Sequence, residues 1–84
     1  MAVMKVRVLF FAGAREQAGT GEIVLEAEGG ERLSALLDRL CDRYPALVRL
    51  RPSSFVAVNQ EYATPETVLR EGDEIAWIPP VSGG

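Results

Sequence analysis

One long segment has apolar residues at helical spacing, and it lies between segments in which polar and apolar residues alternate as in strands. This pattern restricts the fold more than any other feature. Its apolar residues recur at spacings of three and four and form one face, namely Leu33, Leu36, Leu37, Leu40 and Tyr44. Pro45 ends the helix, whereas no Ser, Thr, Asp or Asn stands at the expected cap, so its first residue is undefined. A chain of 84 residues has room for one core, so every other element must pack against this helix.

The segments before the helix alternate with a period of two. Residues 4–11, MKVRVLFF, place basic and apolar side chains in turn, which predicts a half-buried strand. Residues 22–27, EIVLEA, repeat the pattern more weakly. The segment between them, AGAREQAGTG, predicts a hairpin-like connection with about one turn of helix.

The segments after the helix also read as strands. Residues 55–59 predict one strand, residues 60–61 a turn, and Tyr62 the start of a short return strand. Gly72 lies in a turn before the last strand, residues 74–78. The sequence therefore predicts an α+β domain of the β-grasp type, with a mixed sheet covered by one main helix.

Composition excludes several classes of function. With 9 Lys and Arg against 12 Asp and Glu, the net charge is -3, so we expect no nucleic-acid partner. The chain has no His and one Cys, which rules out His-based acid–base chemistry and multi-Cys metal sites, and we expect no metal and no bound cofactor. We also expect no membrane span, no signal peptide and a cytoplasmic location.

The last six residues differ from the rest of the chain: Pro79, Pro80, Val81, Ser82, Gly83 and Gly84. Two prolines lack the N–H groups that a strand needs, so we expect a domain over residues 1–78 and an extended tail over residues 79–84 that reaches about 20 Å. Without Cβ atoms, the final glycines can pass a narrow channel and present the carboxylate of Gly84. Small residues are also tolerated at chain ends, so the tail alone leaves a functional and an inert interpretation open.

A resemblance favours the functional interpretation. The segments AVNQ (57–60), GDE (72–74), IPPV (78–81) and the final GG, together with VLFFAGAREQAGT (8–20), resemble the small-subunit family of molybdopterin synthase along essentially the whole chain. This resemblance implies a ubiquitin-like β-grasp fold. It implies that an E1-like partner uses ATP to adenylate Gly84, and that a sulfur-donating enzyme converts the adenylate to a thiocarboxylate.

The resemblance also implies the sulfur acceptor and the assembly. The large subunit would hold the active site and use the sulfur to convert cyclic pyranopterin monophosphate to molybdopterin. The chain would therefore be a sulfur-donating subunit without its own catalytic site, in a heterotetramer of two large and two small subunits. Its tail residues Pro80, Val81, Ser82 and Gly83 would enter the large subunit.

Strand alternation predicts where a partner binds. If Val6, Val8 and Phe10 face the core, Leu9 and Phe11 face outward. The same logic for the last strand places Ala76 and Ile78 outward, beside the first strand, and the resemblance implicates Phe11, Tyr62 and Ile78. We predict an interface that contains Leu9, Phe11, Tyr62 and Ile78, although single exposed apolar residues are also common on surfaces without function.

Two other features have structural interpretations. Cys41 lies on the leucine-rich helix face, so we predict a buried small hydrophobe and not a reactive thiol. The acidic cluster Glu71, Asp73 and Glu74 predicts a solvated turn.

Three other functions stay open at this stage. The chain could be a ubiquitin-like protein modifier, joined through Gly84 to target lysines, with Lys5 as the only internal lysine for chain building. It could be a thiamine-pathway sulfur carrier. It could also be an interaction module with an inert tail.

Overall fold

A computed structural model describes residues 3–80 of the chain. The elements follow one another in the order β1 (Val3–Phe10), α1 (Ala12–Ala18), β2 (Glu22–Glu28), α2 (Leu33–Arg43), α3 (Leu47–Leu50), β3 (Phe55–Val58), β4 (Glu61–Tyr62) and β5 (Glu74–Ile78). A short 3-10 turn over Arg51–Ser53 links α3 to β3.

The strands form one mixed sheet in the order β2-β1-β5-β3-β4. β1 and β5 run parallel in the interior of the sheet, whereas the β1–β2, β3–β5 and β3–β4 pairs are antiparallel. This arrangement is the predicted α+β architecture, with the first and last strands as neighbours. Among the described residues, no helix is long and apolar enough to cross a membrane.

The core lies between one face of the sheet and the helices. The alternation of β1 and β5 has the predicted phase, because Val6, Val8, Phe10, Ile75 and Trp77 are all buried. The leucine stripe of α2 covers them, and Cys41 on the same helix is also buried, as predicted. The indole N–H of Trp77 donates to the Ser54 hydroxyl at 2.9 Å, so burial leaves this donor satisfied.

Some local features differ from the prediction, and the first is α3, which lies after Pro45 where no helix was predicted. α1 has seven residues, nearly two turns, where about one turn was expected. The turn between β3 and β4 lies at Asn59 and Gln60, one residue earlier than predicted, and both residues have positive φ. Positive φ at both central residues is typical of the hairpin turns that match strand twist, and Asn tolerates this conformation better than most residues.

Candidate functional site

A continuous row of apolar residues crosses the sheet on the face opposite the core. Leu9 pairs with Ala76 across β1 and β5, and Ala76 pairs with Ala57 across β5 and β3. Ala57 in turn pairs with Tyr62 on β4. Because residues paired in register point to the same face, this row joins four adjacent strands on the outer face of the sheet, where Ala57 is itself buried at 5% exposure.

A second apolar row lies beside the first, toward the C-terminal end of β5. Ile78 pairs with Phe55, and the backbone N–H of Phe11 extends the β1–β5 ladder by donating to the Trp77 carbonyl at 3.2 Å. The rings of Phe55 and Tyr62 lie 5.4 Å apart between centroids, which connects the two rows. We name the combined surface the apolar patch, and its residues are Leu9, Phe11, Phe55, Ala57, Tyr62, Ala76 and Ile78.

The aromatic members of the apolar patch are strongly exposed. Phe11 retains 45% of its accessible surface, Phe55 60% and Tyr62 78%. Between them Leu9 and Ile78 are half-buried. Single exposed apolar residues need no explanation, but three aromatic rings on one sheet face are typical of a surface that a partner covers.

The apolar patch lies at the root of the tail. β5 ends at Ile78, a patch residue, and the chain continues through a buried Pro79 and an exposed Pro80. Val81, Ser82, Gly83 and Gly84 lie outside the described residues, so the tail beyond Pro80 and the boundary between domain and tail stay predictions.

Comparison with known proteins identifies the family. A family model described as the ThiS family matches residues 8–84. The chain belongs to the ThiS family. A relative from Aedes aegypti, named molybdopterin synthase sulfur carrier subunit, is 43% identical over 98% of this chain and 91% of its own length. The resemblance inferred from the sequence motifs is thereby confirmed.

Solved structures confirm the fold of this ThiS-family chain. The small archaeal modifier protein 1 from Methanosarcina acetivorans matches with a TM-score of 0.84 and 33% identity over 100% of both chains. A complex of subunits 1 and 2 of the molybdopterin-converting factor from Helicobacter pylori contains a chain that matches with a TM-score of 0.68 and 23% identity, over 96% of this chain and all of that one. The predicted ubiquitin-like β-grasp fold is correct.

The structure brings the four predicted interface residues onto one surface. Leu9, Phe11, Tyr62 and Ile78 all belong to the apolar patch, although their role in binding stays a prediction. Phe55 was missed by the sequence reasoning. Both faces of β3 are apolar, since the sequence is FVAV, so its alternation alone does not say which residues face outward. Pairing with the outward Ile78 settles the phase of Phe55.

Charged side chains bound the apolar patch on the side away from the tail. Arg7 lies one outward position before Leu9 and forms an ion pair with Glu74 at 2.6 Å. A second carboxylate, that of Glu22, lies 3.8 Å from the same guanidinium. These exposed pairs contribute little stability, but they give the apolar patch a polar rim.

The acidic cluster near this rim has mainly a structural role. Asp73 is buried at 8% exposure, so the prediction of a solvated turn is wrong for this residue. Its carboxylate accepts from the Asn59 side chain at 2.8 Å and from the Arg70 backbone at 2.7 Å. The side-chain amide oxygen (Oδ1) of Asn59 accepts from the Glu74 backbone N–H at 3.0 Å, so the AVNQ and GDE motifs meet in one network. This network fixes the β3–β4 turn against the start of β5.

The described residues offer a binding surface and no catalytic constellation. Within residues 3–80, no group of three His, Cys, Asp or Glu side chains is placed to hold a metal ion. Cys41 is a free thiol, but it lies on the buried face of α2, which packs against the core side of the sheet. The arrangement of the apolar patch is therefore suited to docking.

Proposed function

We propose that this ThiS-family chain is the sulfur carrier subunit of molybdopterin synthase and carries sulfur as a thiocarboxylate on Gly84. The observation that carries the proposal is the position of the apolar patch at the root of the tail. A partner that covers the patch receives the tail in a fixed direction. Relatives named for this role and matched over nearly their whole length support the assignment.

The chemistry requires an activating partner. A carboxylate is a poor acyl donor, so one of its oxygens must first attack the α-phosphate of ATP, which gives an acyl adenylate and releases pyrophosphate. Hydrosulfide released by a donor enzyme then attacks the carbonyl carbon of the adenylate, forms the C–S bond as the C–O bond to AMP breaks, and leaves a thiocarboxylate. This chain has no Gly-rich phosphate loop and no metal-ligand motif, so an E1-like enzyme must bind the nucleotide. ATP is thus a cofactor of the partner.

The large subunit is the proposed acceptor of the sulfur. In the Helicobacter pylori complex, the two subunits of the molybdopterin-converting factor bind each other, which supports an equivalent partner here. The apolar patch would dock on the large subunit, and residues 80–84 would enter its active site. The proposed assembly has two large and two small subunits and acts in the cytoplasm, with no nucleic-acid or membrane partner.

Intact mass of the protein from its native cells tests the sulfur-carrier role. We expect a species heavier than the encoded chain by the difference between sulfur and oxygen, and fragmentation should place this difference on Gly84. A persulfide on Cys41 would add a whole sulfur atom instead and would contradict the proposal. Protein from cells that lack the E1-like enzyme is the matched control, and it should show only the carboxylate.

A protein modifier is the second candidate, favoured by the full-length similarity to small archaeal modifier protein 1. In that role Gly84 would form an isopeptide bond with a target lysine, and the same mass measurement would show high-mass adducts. Lys5 is exposed on β1 and is the only lysine of the chain, so long self-linked polymers could grow through one position only. Binding of a purified large subunit to the apolar patch would favour the carrier role over the modifier role.

A further inference from the structure

The outer edge of β2 is a second surface, which meets the rim of the apolar patch only at Glu22. β2 is the edge strand of the sheet on the side away from β4. The Phe10 N–H donates to the Gly21 carbonyl at 2.9 Å, which fixes the hydrogen-bonding phase of the antiparallel β1–β2 pair. Because hydrogen-bonded and non-hydrogen-bonded positions alternate along an antiparallel pair, the backbone groups of Ile23, Leu25 and Ala27 bond to β1. The backbone groups of Glu22, Val24, Glu26 and Glu28 therefore face the open edge.

Local groups cap the C-terminal end of this edge. The Glu26 carbonyl accepts from the Arg39 guanidinium of α2 at 2.8 Å. The Glu28 N–H donates to the Glu31 carboxylate at 3.1 Å, and the Glu28 carbonyl accepts from the Glu31 N–H at 2.9 Å. Arg39 also forms an ion pair with Glu31 at 3.0 Å, so these caps form one connected unit.

The N-terminal end is capped as well, and only the middle of the edge stays open. The Thr20 hydroxyl donates to the Glu22 carbonyl at 3.1 Å and accepts from the Glu22 N–H at 3.4 Å. Among the described residues, no group bonds the N–H or the carbonyl of Val24, or the N–H of Glu26. The Val24 side chain is 57% exposed. Because the caps end on either side of Val24, its backbone N–H and carbonyl can pair with an added strand.

The side chains beside this opening indicate the charge of an occupant. Glu22, Val24, Glu26 and Glu28 share the outer face of β2, and all four are exposed. A second copy that paired antiparallel about Val24 would place Glu22 opposite Glu26 of the other copy, twice, and like charges directly opposite each other are destabilising. A strand with basic residues at those positions would instead form favourable cross-strand pairs.

We propose that the open middle of β2 is a docking site for an extended partner segment in which basic residues flank a small or apolar residue at alternate positions. The segment adds a sixth strand by bonding the N–H and the carbonyl of Val24. The acidic side chains of Glu22, Glu26 and Glu28 select its positive charge. Arg39 must leave the Glu26 carbonyl for the pairing to extend toward α2.

Titration of the full-length protein with a synthetic peptide tests the proposal. The probe Arg-Thr-Arg-Thr-Val-Thr-Arg, paired antiparallel, places Val opposite Val24 and Arg opposite each of the three glutamates. We expect backbone chemical-shift changes centred on β2, and amide exchange at Val24 that slows by about tenfold at saturating peptide. A peptide with Glu in place of each Arg, and one with Pro in place of its Val, should both bind more weakly by about tenfold or more.

Two protein variants separate strand pairing from simple charge attraction. Val24→Pro removes an N–H that the β1–β2 ladder does not use, so the sheet should persist while peptide binding is lost. Arg39→Ala frees the Glu26 carbonyl and should tighten binding about threefold or more. If Val24→Pro weakens the fold, the peptide with Pro in place of its Val tests strand pairing instead, and Glu26→Gln tests charge selection, with an expected loss of about threefold or more.

Three results would overturn the proposal. Equal binding of the arginine and glutamate peptides would exclude charge selection. Undiminished binding to folded Val24→Pro would show that the backbone of β2 is not used. A dimer of the Arg39→Ala variant held together through β2 would identify the occupant as a second copy and not a basic partner segment. None of these results depends on the tail or on the apolar patch, so the proposed sulfur-carrier role is tested separately.

Discussion

Phe55→Ala should weaken binding to the large subunit much more than it weakens the fold. Phe55 keeps 60% of its surface exposed in the free chain. A phenylalanine can bury about 150–250 Å², so about 90–150 Å² remains for a partner to cover. At about 25 cal/mol per Å² this area corresponds to about 2–4 kcal/mol, and ordering costs at the interface reduce it to about 1–3 kcal/mol. The dissociation constant should therefore rise about 5- to 150-fold.

The effect on folding should be smaller because Phe55 is outside the core. Its main described neighbour on the surface is the Tyr62 ring at 5.4 Å, and such aromatic pairs contribute about 0.5–1.5 kcal/mol. Calorimetric titration with the large subunit and urea unfolding would measure the two losses. Val48→Ala is the matched control, because Val48 is 56% exposed but lies on α3, away from the patch. An unchanged affinity for Phe55→Ala, or an equal loss for Val48→Ala, would refute the docking role of the patch.

Six further variants test other parts of the structure. Deleting Gly84, or extending the chain beyond it, should abolish molybdopterin formation and leave the melting temperature unchanged, and full activity in either variant would contradict the carrier role. Ile78→Ala should weaken large-subunit binding by about 1–3 kcal/mol in calorimetry, and unchanged affinity would count against the patch. Asn59→Ala should cost about 2–4 kcal/mol in urea unfolding, because it removes two hydrogen bonds at 2.8 and 3.0 Å and places Ala at positive φ. Asn59→Gly, which keeps the backbone freedom, should cost less. Cys41→Ser should keep sulfur transfer while folded and cost about 1–3 kcal/mol of stability, and a complete loss of transfer would mean that Cys41 carries sulfur.

The core was predictable because each of its elements has a strong period and one apolar face. In β1, basic residues alternate with Val6 and Val8, so only one phase hides the apolar side chains from water. In α2, the three-and-four spacing admits one buried face, and the burial of Leu33, Leu36 and Leu40 matches it. Local pattern and tertiary packing agree at these positions, which is why the sequence alone was sufficient.

The start of α2 was not predictable because its cap is distant in sequence. Arg32 makes no capping bond with its side chain. The Leu33 N–H donates to the Thr67 carbonyl at 2.8 Å, and the Ser34 N–H donates to the Pro65 carbonyl at 3.0 Å. Backbone carbonyls from the loop before β5 thus accept the hydrogen bonds from the helix N-terminus that the side chain of a cap residue usually accepts. Such a cap leaves no residue-type signal near the helix.

Only part of the apolar patch was predictable, because some of its strands have one apolar face and β3 has two. Leu9 and Ile78 share strands with residues whose inward phase is clear, so their outward phase followed. Phe55 and Ala57 lie on a strand with two apolar faces, and only the pairing with β5 distinguishes the faces. Strand pairing is a tertiary property. Without the strand pairing, the sequence predicts the patch residues on β1 and β5 but not those on β3.

The position of β5 explains how a chain without a catalytic constellation in its described part can still determine where a reaction occurs. β5 is the third of five strands, held by a parallel ladder to β1 and an antiparallel ladder to β3. A strand bonded on both sides cannot fray as an edge strand can, so the direction in which the chain leaves at Ile78 is fixed relative to the apolar patch. In the proposed function, docking of the patch would therefore also set the direction in which the tail enters the partner. Because Pro79 and Pro80 restrict the backbone beyond this point, less entropy remains to be lost when the proposed carrier group enters the partner.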